Sequence, residues 1–238
     1  RFGSRCPICR EEWDVNATPV FKTCCARTIC ESCVVKTRGR GVACPLCRAP
    51  RVNNDAEELA FVRRHVENGV PEAIAYLASA YHHGHLMGLA ISTKKAAKLY
   101  KRAVELGNVD AKVWLATLYF DGNGVKLDKK KALQMMREVA EWGDPCGQYN
   151  LGIMLLRYNQ NVEELRLYNQ NLEEAFRWFK LAADQGLTGA EFNTGFSYLT
   201  GKGVELNFEE ARRFLSRAAG KGHGKAMSVL NEMDTHGY

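Results

Sequence analysis

Eight of the nine cysteines in this 238-residue chain fall between Cys6 and Cys47. Their order is Cys-x2-Cys, fourteen residues, the adjacent pair Cys24-Cys25, four residues, Cys-x2-Cys, ten residues, and a last Cys-x2-Cys. A two-residue gap lets both sulfurs of a pair reach one ion, and eight thiolates make two closed sets of four, as structural zinc requires. A closed site leaves no position open for water, so zinc of this kind holds a fold together and catalyses nothing. Fifty residues are too few to bury a useful core without it. Disulfides are the alternative, as in secreted scaffolds. Against them, the other 188 residues contain only Cys146, and no apolar signal stretch is visible. Iron–sulfur ligation comes third, because the Cys-x2-Cys-x2-Cys run of ferredoxins is missing. The expectation is two structural Zn2+ ions in a reducing intracellular compartment, cytoplasmic or nuclear. The chain begins at Arg1, so a targeting segment cannot be read from its start.

Charge has to be corrected for that metal. The formal value of +6 treats cysteine as neutral, whereas ligating thiols are deprotonated. Eight thiolates and two Zn2+ ions contribute −8 and +4, which leaves about +2. The basic run Lys36, Arg38, Arg40 sits in a glycine-containing loop without the interleaved aromatics of a base-stacking surface. The sequence therefore argues against a nucleic-acid partner. No stretch approaches 18 consecutive apolar residues, so no membrane span is expected.

The cysteine pattern resembles the RING finger family in its all-cysteine variant. The resemblance implies cross-bracing: Cys6, Cys9, Cys30 and Cys33 on one ion, and Cys24, Cys25, Cys44 and Cys47 on the other. It also implies a docking groove for a ubiquitin-conjugating enzyme, built from Ile8 inside the first Cys-x2-Cys and Pro45 and Leu46 inside the last. Val34 and Val35 would open the short helix that floors it. Arg48, directly after the last ligand, would hold the charged enzyme and ubiquitin in an attack-ready pose. That is catalysis by orientation, with no nucleophile on this chain. The sequence departs from the family at Cys24-Cys25, where Cys-x-His is usual. It departs again after Cys33, where Lys36, Thr37 and Arg38 replace the customary aromatic.

Residues 51–238 are rich in Ala, Leu, Glu and Lys, which predicts helix throughout. Asn53 or Asn54 can cap a connecting helix from Asp55 to Asn68-Gly69, so residues 51–69 join the zinc module (1–50) to the rest of the helical region. From residue 70 a repeat becomes legible. Ala73, Ala111, Gly147, Ala190 and Ala226 are spaced 38, 36, 43 and 36 residues apart, each opening a unit of helix, tight loop, helix and Gly. A period near 36 with small residues at fixed positions is the signature of a helical solenoid. These units resemble Sel1-like repeats, relatives of the tetratricopeptide class, most clearly in Leu115-x3-Tyr119-x2-Gly122-x-Gly124-Val125-x2-Asp128. The fourth copy follows suit with Tyr198-x2-Gly201-x-Gly203-Val204-x2-Asn207. The predicted fold is thus a small zinc-bound cross-brace RING-like domain plus an all-α solenoid of antiparallel helix pairs, about four repeats over residues 70–238.

Two copies depart from the pattern. The first carries Tyr81-His82-His83-Gly84-His85, three close histidines that nothing orders and that read as loop residues. The third lacks the glycine loop and contains a tandem duplication, Tyr158–Leu165 against Tyr168–Ala175, either of which can begin its second helix. The extra residues should bulge or extend from the stack as the chain's most individual surface. Cys146, near a helix start, reads as a lone, buried thiol. Functionally, the resemblances imply a RING-type ubiquitin ligase: repeats recruit a protein substrate, and the zinc module brings the charged conjugating enzyme. The alternative is a non-catalytic scaffold or adaptor with a structural zinc domain.

Overall fold

The structure, a computed structural model, describes residues 20–22, 26–29, 33, 44, 46–47, 54–84, 88–159 and 165–237. Strands β1 (Val20–Lys22) and β2 (Arg27–Ile29) pair antiparallel with Val20 opposite Ile29. Helices come next in order: α1 (Asp55–Glu67), α2 (Pro71–His83), α3 (Thr93–Glu105), α4 (Val109–Asp121), α5 (Lys129–Glu141), α6 (Pro145–Asn159), α7 (Leu165–Asp184), α8 (Thr188–Thr200), α9 (Phe208–Gly220) and α10 (Gly224–His236). The chain divides into two compact units, residues 1–132 and 133–238. In the first, α1 packs on α2, α2 on α3, and α3 on α4. In the second, α6 packs on α7, α7 on α8, α8 on α9 and α9 on α10. Within each unit these helices pack on their neighbours in sequence, the pattern of a helical solenoid, in which each repeat buries its apolar face on the next.

Local signals act where the sequence places them. Asn54 caps α1 by accepting from the Glu57 N–H at 2.9 Å. Asp128 caps α5 through the Lys131 N–H at 2.9 Å, and Asn207 caps α9 through the Glu210 N–H at 3.0 Å. Asp128 and Asn207, and Ser92 before α3, also close their helical hairpins, since their N–H groups donate to the carbonyls of Tyr119, Tyr198 and Tyr81 respectively. Alanines 73, 96, 103, 111, 140, 182, 190, 211, 218 and 226 are fully or almost fully buried, which lets paired helices approach closely. In the first unit Val62, Leu77 and Ala80 form a core with Leu59, Val66 and Leu99 around them. In the second, Ala182, Ala183, Ala190 and Phe214 join α7, α8 and α9, and Met233 of α10 closes the last cluster.

The duplicated segment settles into one arrangement. The second copy lies in α7, and the first copy begins with Tyr158 and Asn159 at the end of α6. These helices run 15 and 20 residues, whereas each of the other described helices has 13, so the insertion lengthens one hairpin. Cys146 is exposed rather than buried, because it opens α6 beside Asp144, whose Oδ1 accepts its N–H at 2.8 Å.

Successive repeats are joined by contacts that recur one repeat apart. Gln185, just before Gly186, donates from Nε2 to the Gly143 carbonyl at 3.2 Å and to Gln148 Oε1 at 2.9 Å. Lys221, just before Gly222, does the same one repeat later, with Nζ 2.8 Å from the Gly186 carbonyl and 2.8 Å from Glu191 Oε1. Arg217 adds bonds to the Ala183 carbonyl at 2.9 Å and to Glu191 Oε1 at 2.8 Å. In the first unit Arg102 likewise reaches back to the Val66 carbonyl at 3.0 Å. The glycine carbonyls in the turns after α5 and α7 thus accept from a side chain of the following repeat.

Glycine sets the other limit on approach. Gly203 has φ +75, and a Cβ there would run into the backbone of Leu172 and Glu173 on α7. Gly124, also at φ +75, meets Thr93 and Lys94 at the start of α3 in the same way. The second glycine of Gly-x-Gly is therefore fixed by both conformation and space. Gly203→Ala should cost about 2–4 kcal/mol from left-handed strain plus overpacking. Gly220→Ala, with open space around it, should be neutral or stabilise by about 0.5 kcal/mol. Urea unfolding of the two variants against wild type measures the contrast.

Candidate functional site

Of the expected zinc ligands, the structure describes Cys33, Cys44 and Cys47. Cys33 and Cys44 are buried and Cys47 is exposed beside a turn that includes half-buried Leu46. Cys6, Cys9, Cys24, Cys25, Cys30, Ile8, Pro45 and Arg48 lie outside the described residues. Ala26 has φ 51. A non-glycine residue at positive φ is strained and persists only where its surroundings over-determine it.

Among the described residues, the cysteine-rich segment meets α2 through an aromatic contact. Phe21 of β1 stacks on Tyr76 of α2, with ring centroids 4.7 Å apart and planes at 30°. The Tyr76 hydroxyl donates to Glu58 Oε1 at 3.1 Å. Burial, and then the neighbouring Glu58 charge, push the Tyr76 hydroxyl well above the usual phenol range, so it stays protonated and keeps donating.

Within the helices, charged groups serve the packing. Glu174 of α7 receives a fork from Arg137 of α5, with Nε to Oε1 and NH2 to Oε2 both at 3.0 Å, and Trp178 Nε1 donates at 3.3 Å. Burial alone would raise the Glu174 carboxyl, but the Arg137 fork and Trp178 outweigh it and hold it below the ordinary range. Glu191 is fully buried and accepts from Arg217 and Lys221 through Oε1, while Oε2 has no partner among the described residues. A buried carboxylate needs such cations, because leaving it uncompensated costs several kcal/mol, about 3–5.

The histidine run packs as a stack. The His82 and His83 rings lie parallel at 4.7 Å, and each meets Trp114 edge-on at 5.5 Å. His85 lies outside the described residues. No group of three metal-ligating side chains occurs among the described residues. Burial, then His83, lower the His82 pKa.

Two cavities lie on the duplicated part of α7. One, of about 650 Å³, is lined by Asn169, Leu172, Glu173, Phe176, Arg177 and the loop from Gly201 to Glu205. The other, of about 300 Å³, is lined mainly by Leu156, Leu172, Phe176, Phe179 and Phe196. Leu172 and Phe176 border both, and Phe176 is braced edge-on by Tyr198 at 5.1 Å. The sequence marked this segment as individual through its duplication. It did not single out Phe196 or Lys202, which reach the cavity from α8 and the following loop.

Comparison with known proteins agrees with the helical architecture. A model of the Sel1 repeat matches residues 71–108, 109–144, 147–187 and 188–223, one match for each helix pair. The chitin synthase regulator SKT5 of Saccharomyces cerevisiae is 31% identical over 159 residues, covering 66% of this chain and 22% of that protein. The exopolysaccharide production negative regulator of Rhizobium meliloti is 25% identical over 146 residues, covering 58% of this chain and 54% of that protein. The chain therefore spans about a fifth and about half of the length of these relatives. The crystal structure of a Sel1 repeat protein from Oxalobacter formigenes matches with a TM-score of 0.63 at 24% identity, over 75% of this chain and 69% of that one. No described helix is long and apolar enough to cross a membrane.

The His82 environment sets a pH dependence. A histidine whose folded pKa is lowered binds its proton less well folded than unfolded, so stability falls as pH drops below the unfolded value of about 6.5. The thermal midpoint should decline between about pH 6.5 and 5, and His82→Phe, which keeps the ring stack, should flatten that part of the profile. Melting curves across this range check it.

Proposed function

The chain belongs to the Sel1 repeat family, and from that premise we propose that it is an interaction adaptor whose helical repeats hold a partner protein. The observation that carries this reading is the pair of cavities flanking Leu172 and Phe176, open recesses on a rigid helix pair. Concave recesses with apolar floors and a few polar groups are where partners anchor. The two relatives are named as regulators, of chitin synthase and of exopolysaccharide production, roles that an adaptor could fill.

In this reading Cys6, Cys9, Cys30 and Cys33 hold one zinc ion, and Cys24, Cys25, Cys44 and Cys47 hold the other. The metal supplies rigidity and no chemistry. Phe21 on Tyr76 passes that rigidity to the first helix pair. A second reading, a RING-type ubiquitin ligase, is favoured by the cysteine order and by Ile8, Pro45, Leu46 and Arg48. In it those residues dock a charged conjugating enzyme, and the repeats select the protein that receives ubiquitin.

Metal analysis should find two zinc ions per chain, and a strong chelator should remove them without loss of the helical circular dichroism of the repeats. Fewer than two would overturn the zinc assignment. The chain should co-purify with a specific partner from its own cells and bind that partner when both are pure. With activating enzyme, ubiquitin and a broad panel of conjugating enzymes it should build no chains. Polyubiquitin that needs Ile8 and weakens in Arg48→Ala would replace the adaptor with the ligase.

A further inference from the structure

The smaller cavity carries more information than its volume. Its walls are Leu156 of α6, Leu172 and Phe176 of α7, and Phe196 of α8, and nearly fully buried Phe179 closes the floor. Phe179 is held there by Gly152, where a Cβ would strike its ring. The cavity is therefore preformed and apolar. Its rim is polar, and among the described residues its one charged side chain is Lys202.

Asn193 and Ser197, one turn apart on α8, line the same cavity, and Lys202 stands just beyond the helix end. The side chains of Asn193 and Ser197 make no hydrogen bond with a described residue, and the Lys202 ammonium makes no ion pair with one. Among the described residues no carboxylate lines this cavity; Glu173 and Glu205 belong to the larger one, across Leu172 and Phe176. An amide, a hydroxyl and a cation without internal partners among the described residues thus ring an apolar socket large enough for a bulky side chain.

We infer that this socket binds a short segment of a partner protein in which a large apolar side chain stands next to a carboxylate. The apolar side chain fills the space between Phe176, Phe179 and Phe196. Asn193 can both donate to and accept from the segment's backbone, since a carboxamide offers both functions. Lys202 meets the neighbouring acid. The orientation follows from the charges: a basic neighbour would face Lys202 with no acid on the rim to receive it, and like-charge juxtaposition selects against the wrong partner. This inference deepens the adaptor reading and rests on it.

The test is to pan a phage-displayed library of random peptides on the full, zinc-loaded chain. Enriched sequences are then synthesised and their affinities measured by fluorescence polarisation. The expected result is enrichment of Phe, Trp or Leu beside Asp or Glu. Phe196→Ala and Lys202→Glu should each weaken the best peptide at least tenfold, about what losing one anchor contact costs. Lys126→Glu, at an exposed position on another loop, should change it less than about twofold. Replacing the peptide's acid by Lys should restore binding to Lys202→Glu. Phe196 is partly exposed, so its truncation leaves the fold in place, and unchanged melting of both variants verifies that. No enrichment, enrichment of basic peptides, or wild-type affinity in both variants would overturn the inference. If a native partner is retained equally by wild type and both variants, the adaptor reading stands and this socket fails. If the chain holds no partner, the adaptor reading fails first.

Discussion

In the turn just past the second helix of a repeat, the next repeat supplies a side chain that binds the glycine carbonyl. Gln185 does so for Gly143, and Lys221 does so for Gly186. Each of these side chains also binds a side chain five residues beyond the glycine it caps, Gln148 in one case and Glu191 in the other. A repeat is thus completed only by its successor. This gives a physical meaning to solenoid cooperativity, in which stability combines the repeats with the interfaces between neighbours. Met233 and Ala226 of α10 pack against Ala211, Leu215 and Ala218 of α9 in the same way.

Close approach is the consequence of that requirement. The reaching side chains find their carbonyls only if successive repeats sit tightly together, and Gly203 and Gly124 permit this by carrying no Cβ against the preceding helix. The two recesses lie along α7. Its extra length, from the duplicated segment, carries Tyr168 and Asn169 along cavity walls whose other sides come from α8 and its loop.

Much of this is legible in the sequence. The repeat boundaries, the caps at Asn54, Asp128 and Asn207, and the connecting helix from Asp55 all arise from local chemistry and lie where the residues put them. The choice between the two duplicated stretches is not legible, because both have the same helix-forming pattern and only tertiary packing selects between them. Cys146 is exposed although a lone cysteine reads as buried, since its place at the opening of α6 decides its environment. The burial of Glu191, fully enclosed beside Arg217 and Lys221, is likewise set by tertiary packing. Asn193, Ser197 and Lys202 are ordinary surface residues in sequence and converge only when the hairpin forms. The cysteine pattern is the clearest motif of all. The zinc that it implies stays a proposal.

If one repeat completes the next through a specific side-chain pair, then Lys221–Glu191 and Gln185–Gln148 are two versions of that pair. A double-mutant cycle on Lys221→Gln and Glu191→Gln tests this most directly, read by equilibrium urea unfolding of the full chain. Each single change should destabilise by about 1–3 kcal/mol, because each leaves a buried polar group poorly matched. The double mutant, which recreates the Gln–Gln pair, should recover at least about 1 kcal/mol of the summed loss. Losses that add to within about 0.5 kcal/mol would contradict the pairing: the two residues would then act independently, and the contact between repeats would be incidental to stability.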